Sequence, residues 1–398
     1  MIYVWVNKRD WGQPGPIVNV GLRNAYALAG LALPTHFFVG AGVASDTDRD
    51  LREHYGLRPL PTLTVHRVAR TAFSARMKKG RTRKTSSGPV FRAAARFVTT
   101  QARHEKVAVI TREASFLPHL AILKWRHPGR VLGFYEAHDF HGSLAWRRAH
   151  QLPVKSQDVR QSILERLCLP RLDGLVCITE EQRKLFRGAF PATCSCALPL
   201  GTEPFPPTVD PEARRRQRRA VYVGRLSRGK GRDLLLAAAP ALVAARVKLA
   251  FWGGNAEQAR DLHRLAEERG LVPWVEVVPS RSPKELQRAL AAEASIGLAP
   301  LADNAYNRCL TCPVKALDYL SHGLPTVASD LPSTREVLAG AGTYVQPEAS
   351  EALSTAIIGL LDDAEQYGAL SRAAVRQGLN LSWMRRAERL VEFIGTAR

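Results

Sequence analysis

The feature that most constrains this chain is a regular alternation of short apolar runs with longer amphipathic stretches along all 398 residues. Each apolar run has the length and composition of a buried strand, and the stretch after it is long enough for a helix. The alternation predicts βα units and parallel sheets, and therefore an α/β fold. The predicted strands cover residues 2–6, 34–39, 63–66, 107–110, 131–135, 175–178 and 197–200, and then 220–223, 248–252, 275–278, 296–299, 326–328 and 343–345.

A chain of this length exceeds one ordinary domain, so we expect two. The two series of predicted strands are separated by a proline-rich acidic stretch, residues 202–213, and by a basic run, residues 214–219. This composition is typical of a linker. We therefore place the first domain at residues 1–201, the linker at residues 202–219, and the start of the second domain at residue 220.

The net charge of +21 favours anionic partners, which include nucleic acid, acidic lipid and phosphorylated substrates. Six cysteines are few for this length, and the strand-like start predicts no signal peptide, so we expect reduced thiols and a cytoplasmic location. The longest apolar run, residues 234–245, would span about 18 Å as a helix, against a hydrocarbon core roughly 30 Å thick. No membrane-crossing segment is expected.

A strand that ends in Gly224 leads directly into Arg225, Lys230 and Gly231 and then into a predicted helix. Glycines let the backbone approach a ligand, the helix N-terminus offers free N–H groups, and the two cations add charge, so the run predicts a diphosphate site. The letters nearly match the phosphate loop of ATPases. Gly231 stands where that loop needs a magnesium-binding hydroxyl, which disfavours an ATPase.

A second segment, residues 312–330, predicts a short helix between two strands. Pro313 suits the first helical turn and Gly323 suits the C-terminal cap. In open α/β sheets such a helix begins at the crevice beyond the strand ends, where ligands bind. The backbone amides of Leu310, Thr311 and Cys312 are candidates for holding phosphates, and Asp318 is a candidate for the ribose hydroxyls.

These motifs together resemble the retaining GT-B glycosyltransferases of glycosyltransferase family 4, the glycosyl transferases group 1. The resemblance is dense in the second half, where the run from Phe251 to Gly254 is similar to the family's glycine turn beside the nucleotide. The first half is thinner: residues 134–139, with His138, resemble a strand that ends in an active-site histidine. The matching residues are Gly224, Arg225, Lys230, Gly231, Pro313, Lys315, Asp318, Tyr319, Gly323, Pro325, Val327, Ser329 and Asp330.

The resemblance implies two facing Rossmann-like, doubly wound domains with a cleft between them. The segment from Asn380 to Trp383 resembles the family's crossing back to the first domain. On that basis the second domain covers residues 220–381, and a C-terminal helix at residues 382–398 joins the first domain. The first domain would bind the acceptor and the second the nucleotide sugar.

The implied reaction is transfer of a sugar, of hexosyl type, from a nucleoside-diphosphate sugar to an acceptor with retention of configuration and with neither metal nor cofactor. Arg225 and Lys230 would stabilise the leaving diphosphate, and His138 would line the cleft near the reacting carbon. The implied substrate-binding residues are Gly15, Gly224, Gly253, Leu310, Thr311, Cys312, Lys315 and Asp318. Leu310 and Asp318 stand where many members carry two glutamates, which leaves the transferred sugar open.

The segment from Arg67 to Arg96 holds ten basic residues and no acidic one. It is interpreted as a solvated loop and helix face, as an anionic membrane contact, or as a nucleic-acid contact. We favour the membrane contact slightly, which would place the protein on the inner face of a membrane. Nucleic acid is disfavoured because no reader motif accompanies the charge.

Three further candidates are weaker. His141 lies near His138, but we expect a surface histidine. The pairs Cys309/Cys312 and Cys194/Cys196 have metal spacing without a histidine, and we expect Cys312 to cap the helix after it. For the whole chain the leading hypothesis is a glycosyltransferase in glycan, glycolipid or cell-surface polysaccharide synthesis. The alternatives are a non-catalytic polyanion-binding protein and a sugar-nucleotide epimerase of the same fold.

Overall fold

The computed structural model describes residues 1–13, 16–77, 80–205, 210–226 and 231–397, with the backbone alone for residues 73–77 and 80–85. It divides into two compact units. The first contains residues 1–198 and 386–398, and the second contains residues 199–385. The segment 202–219, predicted as a linker, falls within the second unit.

The first unit is built on a seven-stranded parallel sheet in the order β3-β2-β1-β6-β7-β8-β9. Its strands are β1 (Ile2–Asp10), β2 (Thr35–Gly40), β3 (Leu63–Val68), β4 (Thr71–Met77), β5 (Gly80–Ser86), β6 (Val107–Thr111), β7 (Val131–Ala137), β8 (Gly174–Cys177) and β9 (Ser195–Ala197). Its helices are α1 (Pro16–Gly30), α2 (Thr47–Asp50), α3 (Gly88–Gln101), α4 (Leu117–Arg126), α5 (Leu144–Ala149), α6 (Ser156–Cys168) and α7 (Glu180–Ala189). Consecutive residues of β1 from Tyr3 to Val6 are fully buried, as expected for a central parallel strand covered on both faces.

In the basic segment, residues 88–96 lie in helix α3, as the interpretation of a loop and helix face expected, but residues 71–77 and 80–86 form strands rather than a loop. Strands β4 and β5 pair with each other as an antiparallel hairpin outside the seven-stranded sheet. After Gly80, β5 consists of basic and hydroxyl residues and has no apolar alternation, whereas β4 alternates Phe73, Ala75 and Met77 with Ser74 and Arg76, a strand signal that sequence analysis missed. The hairpin is defined by the antiparallel pairing of the β4 and β5 backbones, which amino-acid composition alone does not predict.

The second unit is built on a six-stranded parallel sheet in the order β12-β11-β10-β13-β14-β15. Its strands are β10 (Arg219–Val223), β11 (Lys248–Trp252), β12 (Val275–Val278), β13 (Ile296–Ala299), β14 (Thr326–Ser329) and β15 (Gly342–Val345). Its helices are α8 (Pro211–Arg216), α9 (Arg232–Ala244), α10 (Ala256–Glu268), α11 (Pro283–Glu293), α12 (Val314–Ser321), α13 (Pro332–Leu338), α14 (Ser350–Asp362) and α15 (Ala364–Asn380), and α16 (Trp383–Thr396) ends in the first unit.

Both faces of the second sheet are buried. In β10, Ala220 and Tyr222 pack into one apolar cluster, whereas Val221 and Val223 pack into another on the opposite face. This alternation follows from the two-residue period of a strand, and it explains why parallel strands are apolar throughout. Helices cover the two faces.

In each sheet the first strands in the chain are added on one side of the opening strand, and the later strands are added on its other side. The position at which this direction reverses is the switch point of the sheet. It lies between β1 and β6 in the first unit and between β10 and β13 in the second. Ligands of such sheets bind outside the carboxyl ends of the strands at this point. The run that begins at Gly224 follows the carboxyl end of β10, so the predicted diphosphate site lies at the second switch point.

The predicted linker is partly helical. Residues 211–216 form α8, and the Asp210 carboxylate caps its N-terminus by accepting the Ala213 N–H at 2.9 Å. Arg214, the first residue of the basic run that was predicted as linker, is buried and donates to the carbonyl oxygen of His322 at 2.7 Å and to that of Ala291 at 3.2 Å. A buried guanidinium needs such acceptors, so this arginine fastens α8 to the second unit.

Candidate functional site

Two glycines bring the ends of β10 and β11 together. The Gly224 N–H donates to the Trp252 carbonyl oxygen at 3.0 Å, and the φ angles of Gly224 and Gly253 are +132° and +150°. A Cβ at Gly253 would lie 2.0 Å from the Gly224 carbonyl oxygen, so a larger residue cannot occupy this turn unchanged. The two glycines, both predicted site residues, therefore let the ends of the two strands approach closely at the switch point, with Gly224 half-buried and Gly253 buried.

Tyr319 fixes α12 on the two strands that flank the switch point. Its hydroxyl accepts the Val223 N–H at 3.0 Å, and it lies 3.0 Å and 3.1 Å from the carbonyl oxygens of Val221 and Leu298, to either of which it can donate. A Cβ at Gly297 would lie 2.3 Å from the tyrosine ring, so this glycine in β13 makes room for the contact. The position of α12 is thus set by a buried polar group.

Lys315 lies one helical turn before Tyr319 and reaches the glycine turn. Its Nζ lies 3.8 Å from the centroid of the Tyr222 ring, and a Cβ at Gly224 would lie 3.8 Å from the same nitrogen. The Tyr222 hydroxyl donates to the Arg225 carbonyl oxygen at 2.9 Å, while the Arg225 side chain is exposed. A lysine ammonium group beside a glycine turn and a helix N-terminus can bind a phosphate group.

Two predicted site residues, Gly15 and Lys230, lie outside the described residues. Gly231, which follows Lys230, precedes α9 with a φ of +89°, and a Cβ there would lie 2.3 Å from the Pro300 carbonyl oxygen. The requirement for glycine at this position explains why the sequence departs from the phosphate loop of ATPases.

The three residues predicted to present backbone amides lie just before α12. Leu310 ends a short π-helical turn, Tyr306–Leu310, and its side chain is buried. The Thr311 hydroxyl donates to the Tyr306 carbonyl oxygen at 3.2 Å. The prediction that Cys312 caps α12 is wrong: Pro313 is the N-cap residue, and the Cys312 Sγ instead accepts the Leu200 N–H at 3.4 Å.

Asp318 lies on α12 one turn after Lys315, and sequence analysis missed its supporting residues. Gln287 of α11 donates through Nε2 to the Asp318 carboxylate at 3.1 Å, and its Oε1 lies 2.6 Å from Nε2 of the buried His322. Burial, followed by the charge of Arg214, lowers the pKa of His322 to about 4. The neutral imidazole donates to Gln287, whose amide is thereby oriented toward the carboxylate.

In the first unit, His138 follows β7 and is paired with Glu136, whose importance the sequence did not reveal. The His138 Nε2 lies 2.6 Å from the Glu136 Oε1. Burial alone would raise the pKa of Glu136, but Arg386 and His138 outweigh it and lower the pKa to about 2. Burial and the charge of Arg112 lower the pKa of His138, although Glu136 opposes this shift. A neutral imidazole that donates from Nε2 leaves Nδ1 as an acceptor.

Arg386, near the start of the C-terminal helix, is the third member of the buried group that contains Glu136 and His138. It donates to Glu136 at 2.7 Å and also to the Asn24 side chain, and its own side chain is almost fully buried. Glu136 and Arg386 are 250 residues apart in the chain. The only sequence signal for the pair was the proximity of Arg386 to the segment that resembles the family's crossing helix.

The switch point of the first unit also carries a charge pair that was not predicted. Lys8, in β1, lies with its Nζ 2.7 Å from the carboxylate of the buried Glu113, which follows β6. The Glu113 carboxylate also accepts the Lys8 N–H at 3.3 Å. Both residues lie at the carboxyl ends of central strands, the location at which polar residues of α/β proteins bind ligands.

The expectation of a surface position for His141 is wrong. His141 is buried, with its ring nitrogens 3.5 Å from the carboxylates of Asp139 and Asp158. Its backbone N–H donates to the buried Glu165 at 3.0 Å. Helix α6 covers the strand end and thereby buries a residue that the local sequence placed at the surface.

The part of the chain that the structure describes contains no group of three or more His, Cys, Asp or Glu side chains arranged to hold a metal ion. Cys312 is buried, Cys194 is exposed, Cys196 and Cys309 are half-buried, and none of the four forms a disulfide. Within the same residues, no helix has both the length and the apolar character needed to cross a membrane.

Residues 217–363, most of the second unit, match the family model described as Glycosyl transferases group 1. Among characterised proteins, D-inositol 3-phosphate glycosyltransferase of Corynebacterium urealyticum is 29% identical over 181 residues. That match covers 43% of this chain and 41% of the relative, so the chain spans less than half of the relative's length. These matches support the predicted group 1 glycosyl transferase domain over residues 217–363.

Solved structures match the whole chain. HepE of Anabaena, determined with UDP and glucose, has a TM-score of 0.67 at 16% identity and covers 99% of each chain. The pneumococcal O-GlcNAc transferase GtfA, determined with UDP and GlcNAc, has a TM-score of 0.71 at 10% identity, covering 100% of this chain and 99% of its own. The predicted fold is confirmed: the chain is a GT-B protein with two Rossmann-like α/β domains.

Proposed function

We propose that the protein is a glycosyltransferase that moves a sugar from a nucleoside-diphosphate sugar to a hydroxyl acceptor. The observation that carries the proposal is the position of Lys315, whose ammonium group lies beside the half-buried glycine turn at Gly224 because Tyr319 fixes α12 on β10 and β13. The match of residues 217–363 to glycosyl transferases group 1 supports it. So does the solution of two GT-B neighbours with UDP.

In the proposed reaction the bond between the anomeric carbon and the diphosphate oxygen breaks, and the nucleoside diphosphate leaves with the electron pair. The acceptor oxygen forms the new bond to that carbon, and its proton passes to the departing diphosphate oxygen. Lys315, Arg225 and Lys230 are assigned to the growing negative charge of the leaving group, since fixed cations and N–H groups lower such a barrier most. Asp318, held by Gln287, is assigned to the ribose hydroxyls.

His138 is assigned a role at the transferred sugar. Its Nε2 is engaged by Glu136, so the imidazole has a fixed orientation and offers Nδ1 as an acceptor for a sugar hydroxyl. Retention of configuration and independence from metal belong to this proposal and rest on the resemblance of the motifs to glycosyltransferase family 4. The buried side chain of Leu310 provides no carboxylate for the sugar, so the sugar must be held by other groups.

The acceptor is proposed to be a glycan or a lipid-linked glycan, in the synthesis of a glycan, glycolipid or cell-surface polysaccharide. A cytoplasmic location is part of the same proposal. The D-inositol 3-phosphate glycosyltransferase that resembles part of this chain has a phosphorylated acceptor in its name. Together with the net charge of +21, this favours an acceptor that carries negative charge.

The test is turnover of nucleoside-diphosphate sugars with the full-length protein. A panel that varies base and sugar is first screened by thermal shift, because a bound donor stabilises the folded state by mass action. The best donor is then assayed for nucleoside-diphosphate release, and the anomeric configuration of the product is read by NMR.

The proposal predicts retained configuration, activity in the presence of a chelator, and a fall of about 10² to 10³ in kcat for Lys230→Ala. The exposed Arg269, at the C-terminal end of α10, provides the matched control, since Arg269→Ala removes a cation at the end of the helix that points away from the glycine turn. Full turnover by Lys230→Ala contradicts the leaving-group assignment. No thermal shift with any nucleotide favours the alternative of a non-catalytic polyanion-binding protein.

A further inference from the structure

Helix α6 in the first unit has its apolar face outward. Its buried residues are Ser162, Glu165 and Cys168, whereas Ile163 and Leu167 are 52% and 57% exposed. Surface helices normally bury the apolar stripe and expose the polar one. Core packing therefore does not account for Ile163 and Leu167, which lie four residues apart on one side of the helix.

The neighbouring helix α4 continues this apolar surface. It packs beside α6 and exposes Ile122 and Trp125, which lie three residues apart and so share a face. Trp125 is 79% exposed, although tryptophan side chains are on average highly buried. We call the surface formed by Ile122, Trp125, Ile163 and Leu167 the α4–α6 surface.

A cavity of about 970 Å³ opens beside the α4–α6 surface. Ile122, Trp125 and Leu132 line it together with Arg171, whose guanidinium donates to the Leu167 carbonyl oxygen and so ties the end of α6 to the cavity wall. The cavity is bordered by residues that precede β6 and β8 or begin β7, so it lies at the amino edge of the sheet. His138 and the switch point of the first unit lie at the opposite, carboxyl edge.

The charged residues around the α4–α6 surface are mainly basic. Lys106, Arg126, Arg160, Arg166 and Arg171 are all exposed.

The acidic groups nearby are already paired. Asp173 lies 2.6 Å from Lys124, and Glu105 lies 3.0 Å from the amino group of Met1. The surface therefore combines exposed apolar side chains with a net positive rim. That combination matches an anionic bilayer, in which apolar groups enter the boundary region and cations face the lipid headgroups.

We propose that the α4–α6 surface binds an anionic membrane, with Trp125 and Leu167 inserted at the headgroup level and the basic residues around them on acidic lipids. This assigns membrane contact to α4 and α6 rather than to the segment from Arg67 to Arg96. The assignment does not depend on the proposed transferase activity. It leaves the carboxyl edge of the first sheet clear of the lipid.

The test is flotation of the full-length protein with vesicles of phosphatidylcholine alone and with vesicles that also contain phosphatidylglycerol. We expect flotation with the acidic vesicles only, and weaker flotation at high salt because salt screens the charge attraction. The double variant Trp125→Ser/Leu167→Ser should lower the bound fraction about tenfold, since it removes two inserted groups.

Control variants test whether the loss of flotation is specific to the α4–α6 surface. Leu379→Ser/Met384→Ser removes two apolar residues that are 54% and 41% exposed in the second unit, and it should float like the wild type. Should the Trp125/Leu167 variant lose its folded circular-dichroism spectrum, Arg166→Glu/Arg171→Glu tests the same surface through its charge.

Three results would overturn the proposal: no flotation of the wild type with acidic vesicles, unchanged flotation of both α4–α6 variants, or loss of flotation in Arg81→Ser/Arg83→Ser/Lys84→Ser of the basic hairpin alone. Dimerisation in analytical ultracentrifugation that Trp125→Ser/Leu167→Ser abolishes would instead identify the surface as an interface between two copies of the chain.

Discussion

At the scale of single residues, we expect substitution of His138 to affect catalysis and substitution of its partner Glu136 to affect stability. His138→Asn removes the imidazole but leaves the buried Glu136–Arg386 ion pair, whose atoms lie 2.7 Å apart. We expect a fall of about 10² in kcat with little change in the free energy of unfolding. Steady-state kinetics and urea unfolding measure the two quantities.

Glu136→Gln should behave in the opposite way. It leaves the buried Arg386 without a charge partner, so we expect a loss of about 3–5 kcal/mol in the free energy of unfolding. The exposed His150 provides the control, since His150→Asn should change neither turnover nor stability. Equal turnover of His138→Asn and the wild type would remove His138 from the proposed mechanism.

Sequence reasoning identified His138 but not the group that orients it. The histidine follows a predicted strand, which local residues show, whereas Glu136 and Arg386 meet only when the C-terminal helix packs on the first unit. Gln287 was missed for the same reason, since it reaches Asp318 from another helix. Local sequence patterns select candidate site residues. The side chains that orient these candidates come from distant parts of the chain and meet them only in the folded structure.

At the scale of elements, the hydroxyl of Tyr319 is expected to position α12. Tyr319→Phe leaves the buried Val223 N–H without its acceptor, which lies 3.0 Å away in the wild type, so we expect a loss of about 1–3 kcal/mol in the free energy of unfolding. Because Lys315 lies on the same helix, KM for the donor should rise as well. Urea unfolding and donor titration test both, and an unchanged KM would show that α12 keeps its position without the hydroxyl.

The turn at Gly253 has a matched partner elsewhere in the same unit. Gly253→Ala places a Cβ 2.0 Å from the Gly224 oxygen, and we expect a loss of about 2–4 kcal/mol in the free energy of unfolding and of nucleotide binding.

Gly270 has a φ of +65°, and no atom lies within 4 Å of the position that a Cβ would take there, so Gly270→Ala should cost only about 1 kcal/mol. The difference between the two variants measures the close approach of the backbones together with the φ of +150°, which other residues avoid more strongly than the φ of +65° at Gly270. Equal losses would show that the close approach does not constrain Gly253.

The strands of both large sheets were predicted from apolar runs because parallel strands are buried on both faces. The hairpin of β4 and β5 was missed, since β5 consists of basic and hydroxyl residues after Gly80 and has no apolar alternation. The predicted linker contains α8 because Arg214, which looks like surface charge in the sequence, finds buried carbonyl acceptors. Elements that depend on apolar periodicity are predictable, and those that depend on distant polar partners are not.

At the scale of the whole molecule, buried neutral histidines predict a loss of stability in acid. Burial, followed by Arg214, lowers the pKa of His322 to about 4, and burial, followed by His66, lowers that of His36 to about 4. The unfolded chain binds these protons near pH 6.5, so stability is complete above that pH and falls as the pH drops toward 4.

Each histidine contributes a slope of about 1.4 kcal/mol per pH unit in that window. Urea unfolding at several pH values measures the slope. His322→Gln should reduce the slope by the contribution of one histidine, about 1.4 kcal/mol per pH unit. A slope unchanged by His322→Gln would show that His322 does not carry the pH dependence.

Glu136 adds a second loss at lower pH. Burial would raise its pKa, but Arg386 and His138 outweigh burial and hold it at about 2. Its stabilising contribution is therefore present above the usual carboxyl range and is lost as the pH falls from about 4.5 toward 2.

The central claim is that the second unit binds the diphosphate of a nucleotide at Gly224 and Lys315. Calorimetric titration of the full-length protein with a nucleoside diphosphate and with the matching monophosphate tests it most directly. We expect the diphosphate to bind at least about tenfold more tightly, and Lys315→Ala to remove most of this difference while Arg269→Ala does not. Binding of neither nucleotide, or equal diphosphate binding by Lys315→Ala and the wild type, would contradict it.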